Sequence, residues 1–317
     1  MAERQPIEIA PPDITRYRAG NTGVEYVHRL DSGRPGANVM VQALTHGNEF
    51  SGAIALDYLL QEGLRPSQGA LTLAFANVAA FGRFDAADPN RARYVDEDYN
   101  RVWADEVLDG QRDSAELRRA RELRRFVDTA DYLLDLHTMG EPCRPIMVCA
   151  KSDKSVALSR RMGVPADLLL DTGHPAGLRM IERGAFSDPA SPRTAILIEC
   201  GQHWEKSAVD VAIDTALRFL TVTGALDEAW TKPRVRLKPP AEQRLVRVTE
   251  AIVAKSANFR FAKPWKGLEV APKAGTPVAY DGDTVWRTPY DDCVMVMPGT
   301  AHLKPGNTAV RLGRYQD

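Results

Sequence analysis

His46 and Glu49 stand three residues apart in the stretch L-T-H-G-N-E-F-S-G, residues 44–52. At that spacing an imidazole nitrogen and a carboxylate oxygen can aim at one point. Zinc accepts both atom types, and a catalytic zinc commonly takes three protein ligands and keeps a position for water. Gly47 lets the backbone turn tightly between the two. Such a pair arises often by chance, and a helix cap or a surface pair is the ordinary alternative. Other positions raise its weight. His137 and Glu199 each directly follow an apolar run (residues 132–136 and 194–198), and residues 93–101 read R-Y-V-D-E-D-Y-N-R. Two histidines and one carboxylate are a common catalytic set, so His46, Glu49 and His137 are candidate ligands for one zinc ion per chain. Glu199 has no histidine at ligand spacing and is a candidate general base toward a water that zinc acidifies to about pKa 7. His203, four residues on, is an alternative partner and a further, weaker candidate ligand. Attack on a carbonyl places negative charge on its oxygen, and Arg93 is a candidate to meet it. Asn100 and Arg101 offer an amide donor beside a guanidinium, a combination suited to a substrate carboxylate. For each arginine a solvated loop charge is the ordinary alternative.

These residues share a placement. Residues 39–44 form a β-prone apolar run, and residues 53–62 carry Ile54, Leu56, Tyr58, Leu59 and Leu60 as a helix ended by Gly63 and Pro66. His46 and Glu49 therefore lie where a strand gives way to a helix, the end of an open α/β sheet where ligands bind. Residues 70–76, 132–136, 145–149 and 194–198 are further strands, and 23–27 is another with His28 at its end as an edge or surface residue. Residues 77–111 lack clear periodicity, and a loop that long inside a compact domain is usually functional. Asp113 with Glu116 reads as a capping-box start to a helix bearing Leu117, Ala120, Leu123, Phe126 and Val127. Ser207 with Asp210 starts another, closed by Gly224. Past the proline-rich residues 232–240 only short β-runs alternate with turns, and Asp281-Gly282 marks a hairpin. The expected fold class is α/β, a mixed and largely parallel sheet flanked by helices, with a small C-terminal all-β domain. The expected division is 1–234 for the zinc hydrolase domain and 235–317 for the β domain.

A chain of 317 residues with a net charge of −1 gives no reason to invoke nucleic acid or an anionic membrane as partner. No run approaches the ~18 apolar residues of a membrane span. Residues 1–12 are polar and proline-punctuated, without the apolar core of a secretory signal. Cys143, Cys149, Cys200 and Cys293 are scattered without a C-x-x-C pair, as expected of thiols in a reducing cytoplasm. The expected location is cytoplasmic and the expected partner a small molecule bearing a carboxylate; self-association as a homo-oligomer is compatible with the composition.

The motifs H-G-N-E-F-S-G, R-Y-V-D-E-D-Y-N-R, D-L-H-T and I-L-I-E-C-G occur in an order and spacing that resemble the succinylglutamate desuccinylase/aspartoacylase family, relatives of the zinc carboxypeptidases. The resemblance covers residues 38–225 and extends to the layout of the later β region. It implies hydrolysis of an N-acyl amino acid or a related amide. His46, Glu49 and His137 would bind zinc, and Glu199 would carry a proton from water to the leaving nitrogen. Arg93 would polarise the scissile carbonyl, and Asn100 with Arg101 would hold a substrate carboxylate. This chain departs from the family pattern at Tyr99, where leucine is usual, a change expected to affect packing. Residues 183–193 contain no tyrosine matching the substrate-binding one of aspartoacylases, and Arg193 is near but not aligned with their arginine. His302 and Lys304 stand loosely where a C-terminal tyrosine is expected. N-acetylaspartate is therefore not carried over as substrate. A carboxypeptidase acting on short peptides, an esterase, and a non-catalytic metal- or ligand-binding protein are the competing readings. Phe50, Tyr94, Trp103 and Trp204 are candidates to shape the pocket, with core packing the ordinary alternative.

Overall fold

A computed structural model describes residues 5–171, 173, 174, 176–299 and 303–316. The strands are β1 (Val27–Asp31), β2 (Asn38–Ala43), β3 (Ala70–Phe75), β4 (Tyr132–Met139), β5 (Ile146–Val148), β6 (Asp167–Leu170), β7 (Thr194–Gln202), β8 (Arg244–Val253), β9 (Arg260–Phe261), β10 (Glu269–Ala271), β11 (Pro277–Asp281), β12 (Thr284–Arg287), β13 (Cys293–Val296) and β14 (Thr308–Gln316). The helices are α1 (Ser51–Gln61), α2 (Val78–Phe81), α3 (Asp105–Leu108), α4 (Ala115–Thr129), α5 (Asp153–Met162), α6 (Lys206–Val222) and α7 (Glu228–Thr231). One eleven-stranded sheet runs β1-β3-β2-β4-β7-β5-β6-β8-β14-β13-β10, and β12-β11-β9 form a separate small sheet.

The centre of the large sheet, β3-β2-β4-β7, is parallel. From β2 the chain crosses through α1 to β3 on one side, then returns through α4 to β4 on the other. The connection reverses direction at β2, which makes the crevice at the carboxyl ends of β2 and β4 the natural ligand site of an open α/β sheet. Alternation along the strands fills both faces. Val39, Val41 and Ala43 of β2 pack in one apolar layer with Leu56 and Leu59 of α1 and Leu217 and Leu220 of α6. Met40, Leu133 and Ala195 pack on the opposite face with Leu117, Leu123 and Phe126 of α4. Since side chains two apart share a face, Asp135 and His137 follow Leu133, and Leu197 and Glu199 follow Ala195, onto the α4 side.

The C-terminal strands do not stand apart from this sheet. β8 pairs in parallel with β6 from Asp167↔Arg244 onward, and β14, β13 and β10 extend the same sheet by antiparallel pairing. A third apolar cluster around Trp265, Val278, Met295 and Leu312 fills the space under β11 and β13. Asp281 and Thr284 pair at the expected β11–β12 hairpin, which puts Gly282, with φ +60°, first in the two-residue loop.

Several local expectations are corrected. The first strand begins at Val27 rather than spanning 23–27, so His28 lies inside it, its Nε2 3.0 Å from the Tyr17 carbonyl. Helix α4 is capped by Ser114, whose Oγ accepts from Leu117 N at 3.0 Å. Glu116 is not a capping-box partner; it turns inward and binds the preceding loop. Helix α6 starts from Glu205 without a Ser207 cap. Helix α5 went unread because its buried apolar side chains, Val156, Leu158 and Met162, are interspersed with polar residues. The four cysteines are all free, and no described helix is long and apolar enough to cross a membrane.

Candidate active site

Backbone strain and close packing present the first two candidate ligands. Leu44, fully buried at the end of β2, has φ +60°, an uncommon conformation for a leucine that costs about 1–3 kcal/mol. Its carbonyl accepts from Asn77 N at 2.8 Å, which helps hold the bend. Gly47 is needed for space rather than for a left-handed turn: an added Cβ would lie 2.3 Å from Phe81 N and 2.5 Å from the Ala92 carbonyl oxygen. That close approach lets Gly47 N donate to the Arg93 carbonyl at 3.1 Å, joining the His46 turn to the Arg93 loop. Gly52, at the start of α1, likewise allows the helix to rest on Leu136, the residue before His137.

His46, Glu49 and His137 meet in the buried interior of the cleft, with one candidate ligand atom of each within 4.8 Å of the others. Nδ1 of His46 lies 2.8 Å from Oε1 of Glu49, and Nδ1 of His137 lies 3.0 Å from Oε2. The far nitrogen of each ring faces a different carboxylate. Nε2 of His46 is 3.0 Å from Oδ1 of Asp98, and Nε2 of His137 is 2.7 Å from Oδ2 of Asp135. A carboxylate behind each imidazole orients the ring and makes its near nitrogen a better metal donor. Asp135 is itself held, since Thr45 Oγ1 donates to its Oδ1 at 2.8 Å and accepts from Gln42 Nε2 at 2.8 Å. Burial works against charge on Glu49, but His46 and His137 outweigh it and hold its carboxyl well below the usual range. Burial likewise opposes charge on His137, while Asp135 and Glu49 raise the imidazole well above its ordinary value. The donor set fits a borderline-soft dication such as zinc.

Glu199 pairs in register with His137 on the neighbouring strand. The register of β4 and β7 shifts just beyond this pair, as a bulge would make it, and such irregularities commonly re-aim side chains at sites. Its Oε2 is buried and has no hydrogen-bond partner among the described residues. Burial pushes this carboxyl up to about 8, with His137 and Arg93 opposing and Glu49 and Asp135 reinforcing the rise. Arg93 donates Nη1 to Oε1 of Glu49 at 3.1 Å, and its Nη2 lies 3.5 Å from Asp98. Burial disfavours its charge, but Asp98, Glu49 and Glu199 more than offset this. Asn100 is buried, and its Oδ1 accepts from Met180 N at 3.0 Å, which leaves Nδ2 without a hydrogen-bond partner among the described residues. Arg101 donates Nη1 to the Asn100 carbonyl at 2.7 Å.

All seven of these residues line one cleft of about 410 Å³. The C-terminal region supplies Met297, Pro298, Gly299, Leu303 and Arg311 to its wall. Among the aromatic candidates, Tyr94 lines the cleft, whereas Phe50, Trp103 and Trp204 are core residues. Tyr99 is fully buried edge-on against Trp103, a packing position as expected. His203 lines the cleft without joining the metal cluster; its Nδ1 is 2.9 Å from Thr138 Oγ1. Arg193 faces away, donating Nε to the Ala130 carbonyl at 2.7 Å at the start of β7. Lys304 is exposed outside the cleft lining, and His302 lies outside the described residues.

Sequence reasoning passed over Asp98, Asp135 and Glu116. Asp98 opens the D-Y-N-R motif and Asp135 stands two before His137, the spacing that puts both on one face of a strand. Glu116 is completely buried and accepts from the backbone N–H groups of Val95, Asp96 and Glu97 at 2.7, 3.1 and 3.2 Å and from Asn77 Nδ2 at 2.9 Å. One carboxylate thus anchors the loop that carries Arg93 and Asp98.

Helices on both faces of a sheet with a switch point at β2, and a histidine–glutamate–histidine cluster at that point, define an α/β architecture with a candidate metal site at its sheet edge. The chain belongs to the succinylglutamate desuccinylase/aspartoacylase family, whose catalytic-domain description it matches over residues 35–220. Succinylglutamate desuccinylase from Vibrio cholerae has the same fold, with a TM-score of 0.66 at 16% identity over 93% of this chain and 88% of that one. The enzyme from Vibrio parahaemolyticus gives 0.65 at 17% identity over 92% and 87%. An N-acyl-aromatic-L-amino acid amidohydrolase (carboxylate-forming) from Xenopus laevis is 32% identical over 128 residues, 38% of this chain and 40% of that protein. The match thus spans less than half of that relative's length.

Proposed function

We propose that this chain is a zinc-dependent amidohydrolase that cleaves a small N-acyl amino acid, or a related carboxylated amide, into an amine and a carboxylate. The observation that carries this reading is the convergence of His46 Nδ1, Glu49 and His137 Nδ1 on one buried point, beside a Glu199 oxygen that has no partner. His46, Glu49 and His137 would hold one zinc ion per chain. When bound, zinc supplies a Lewis acid that brings water near a pKa of about 7 and polarises a carbonyl. Glu199 takes the proton of the attacking water and returns it to the leaving nitrogen, the acid–base reversal that amide cleavage requires. Arg93 keeps its charge in the cleft and stabilises the negative charge that develops on the carbonyl oxygen. The free end of the Asn100 amide and the Arg101 guanidinium hold the substrate carboxylate. The Xenopus amidohydrolase supports an amide as the scissile bond.

Residues 235–317 act in this reading as the unit that closes the cleft. Their contribution of Met297, Leu303 and Arg311 to the wall favours small substrates over peptides. The second reading, a carboxypeptidase, keeps the same metal and carboxylate sites and differs in access. Release of amine from a panel of N-acetyl amino acids by the zinc-loaded protein, set beside release of C-terminal residues from dipeptides, separates the two. N-acetyl amino acid turnover abolished by Glu199→Gln is expected. Dipeptide cleavage with no deacylation would replace this reading by the carboxypeptidase one.

A further inference from the structure

Trp204 stands two residues past the end of β7, the strand that carries Glu199, and its side chain is buried in the apolar layer shared with α1 and α6. Packing alone asks nothing of an indole N–H. Trp103 and Trp286 each bury Nε1 with no hydrogen-bond partner among the described residues. Trp204 differs. Its Nε1 donates at 3.2 Å to the carbonyl of Asn48, the residue between Gly47 and Glu49. The side-chain amide of Asn48 is fully buried and has no partner among the described residues, so the bond from the indole is what ties this residue to the end of β7.

The turn that carries His46 and Glu49 is thus held from two sides. Gly47 N donates to the Arg93 carbonyl at 3.1 Å on one, and the Asn48 carbonyl accepts from Trp204 on the other. Thr138 reinforces the second side: its N donates to Oε2 of Glu49 at 3.2 Å, and its Oγ1 lies 2.9 Å from Nδ1 of His203. Trp204 is itself fixed. Its N donates to Oε1 of Gln202 at 2.9 Å, and its carbonyl accepts from Glu8 N at 3.0 Å. Oε2 of Glu8 accepts from Lys206 N at 3.0 Å in the first turn of α6, where a carboxylate suits the positive end of the helix. We propose that Trp204 is a positioning residue that holds the His46–Glu49 turn in place against the strand of Glu199, and that Glu8 locks it there. Its catalytic consequence rests on the deacylase reading; its structural consequence does not.

A buried carbonyl without a donor is unfavourable, so the turn keeps one arrangement while Nε1 is in place. Without that donor the turn is free to shift. A general base must stay within hydrogen-bond reach of the water it deprotonates, and a misplacement of about 1 Å costs on the order of 100-fold in rate. Trp204 does not line the cleft, so its loss should act on kcat rather than on KM.

Trp204→Phe keeps an aromatic ring in the layer and deletes the donor. In the metal-free full chain, hydrogen–deuterium exchange of the amides of residues 44–54 is expected to quicken by about 10-fold while those of α4 keep the parental rate. In the zinc-loaded chain, kcat for an N-acetyl amino acid should fall by about 10-fold with KM within about 2-fold. Glu8→Ala should move both readouts in the same direction by less, and Glu8→Gln, which keeps an acceptor for Lys206 N, should restore them. Ile213→Ala, which opens a cavity in the same layer at α6, should lower stability without singling out residues 44–54. Exchange at 44–54 that stays parental in Trp204→Phe, or that quickens equally in α4, overturns the proposal, as does a parental kcat. A Glu8→Ala chain that behaves as the parent overturns the lock. If the parent hydrolyses no acyl substrate, the deacylase reading fails and the exchange result alone decides the role of Trp204. Should Trp204→Phe fail to fold, the contrast between Glu8→Ala and Glu8→Gln decides.

Discussion

The two imidazoles of the site each face Glu49 with Nδ1 and a separate carboxylate with Nε2. In the proposed function that arrangement lets Asp135 and Asp98 orient the two metal-binding imidazoles without being ligands themselves. Asp135→Ala is expected to weaken zinc binding about 10–100-fold, measured by competition with a chromogenic chelator. An unchanged affinity would mean that the Asp135–His137 contact only packs the strand. Glu199 allows a second expectation at this scale, for the metal-free protein. Its carboxyl ionises near 8 in the fold against about 4.5 when unfolded, because burial disfavours the charge. Between those values the folded chain holds a proton that the unfolded chain has lost, so stability contributed by this group falls as pH rises through the window. Glu199→Gln removes that dependence. Denaturation midpoints of variant and parent should coincide near pH 4 and separate progressively toward pH 8, with the variant the more stable. Parallel curves would contradict the assignment of the buried carboxyl.

At the level of elements, function depends on how a loop without regular structure is held against a strand end. Glu116 does this from the first turn of α4 with four hydrogen bonds. Glu116→Ala leaves three backbone donors and an amide without their acceptor, which should cost about 2–4 kcal/mol in denaturant unfolding. The same change should expose residues 93–98 to proteolysis and lower kcat/KM while zinc content is retained. Intact resistance to protease would place the anchor elsewhere. Gly47 sets the other contact of that loop. Gly47→Ala drives a Cβ to 2.3 Å from Phe81 N, so loss of both metal and stability of at least about 2 kcal/mol is expected. A well-folded, zinc-replete Gly47→Ala protein would show that the turn can shift without cost.

Across the whole molecule, what was legible in the sequence follows from continuity of pattern. The apolar runs of β2, β3, β4 and β7 are buried on both faces, and His46, Glu49, His137 and Glu199 stand within or a few residues after three of them, so strand and motif point to the same sheet edge. Asp98 and Asp135 were harder to read because each acts through the far side of an imidazole, one contact removed from the site. Arg311 was not legible because its place depends on the pairing of β14 with β8 and on how far β8 carries the sheet past β6, which no local pattern encodes. The strand β6 was missed because its run of four residues, Asp167–Leu170, is too short to show a period. The C-terminal strands share the main sheet and help wall the cleft, and in the proposed function a bound metal ties the carboxyl ends of β2 and β4 together. Saturating zinc at about 1,000 times its dissociation constant should therefore raise unfolding stability by about 4 kcal/mol over the chelated protein.

The most direct measurement of the central claim is metal content by mass spectrometry of the purified wild-type chain beside a His46→Ala/His137→Ala variant, each kept away from chelators, with N-acyl amino acid hydrolysis measured on the same samples. About one zinc per folded wild-type chain, less than a tenth of that in the variant, and hydrolysis that follows the metal are the results expected if His46, Glu49 and His137 form the metal site. Folded wild-type protein without metal that still hydrolyses the substrate, or a double variant that keeps its zinc, would contradict it.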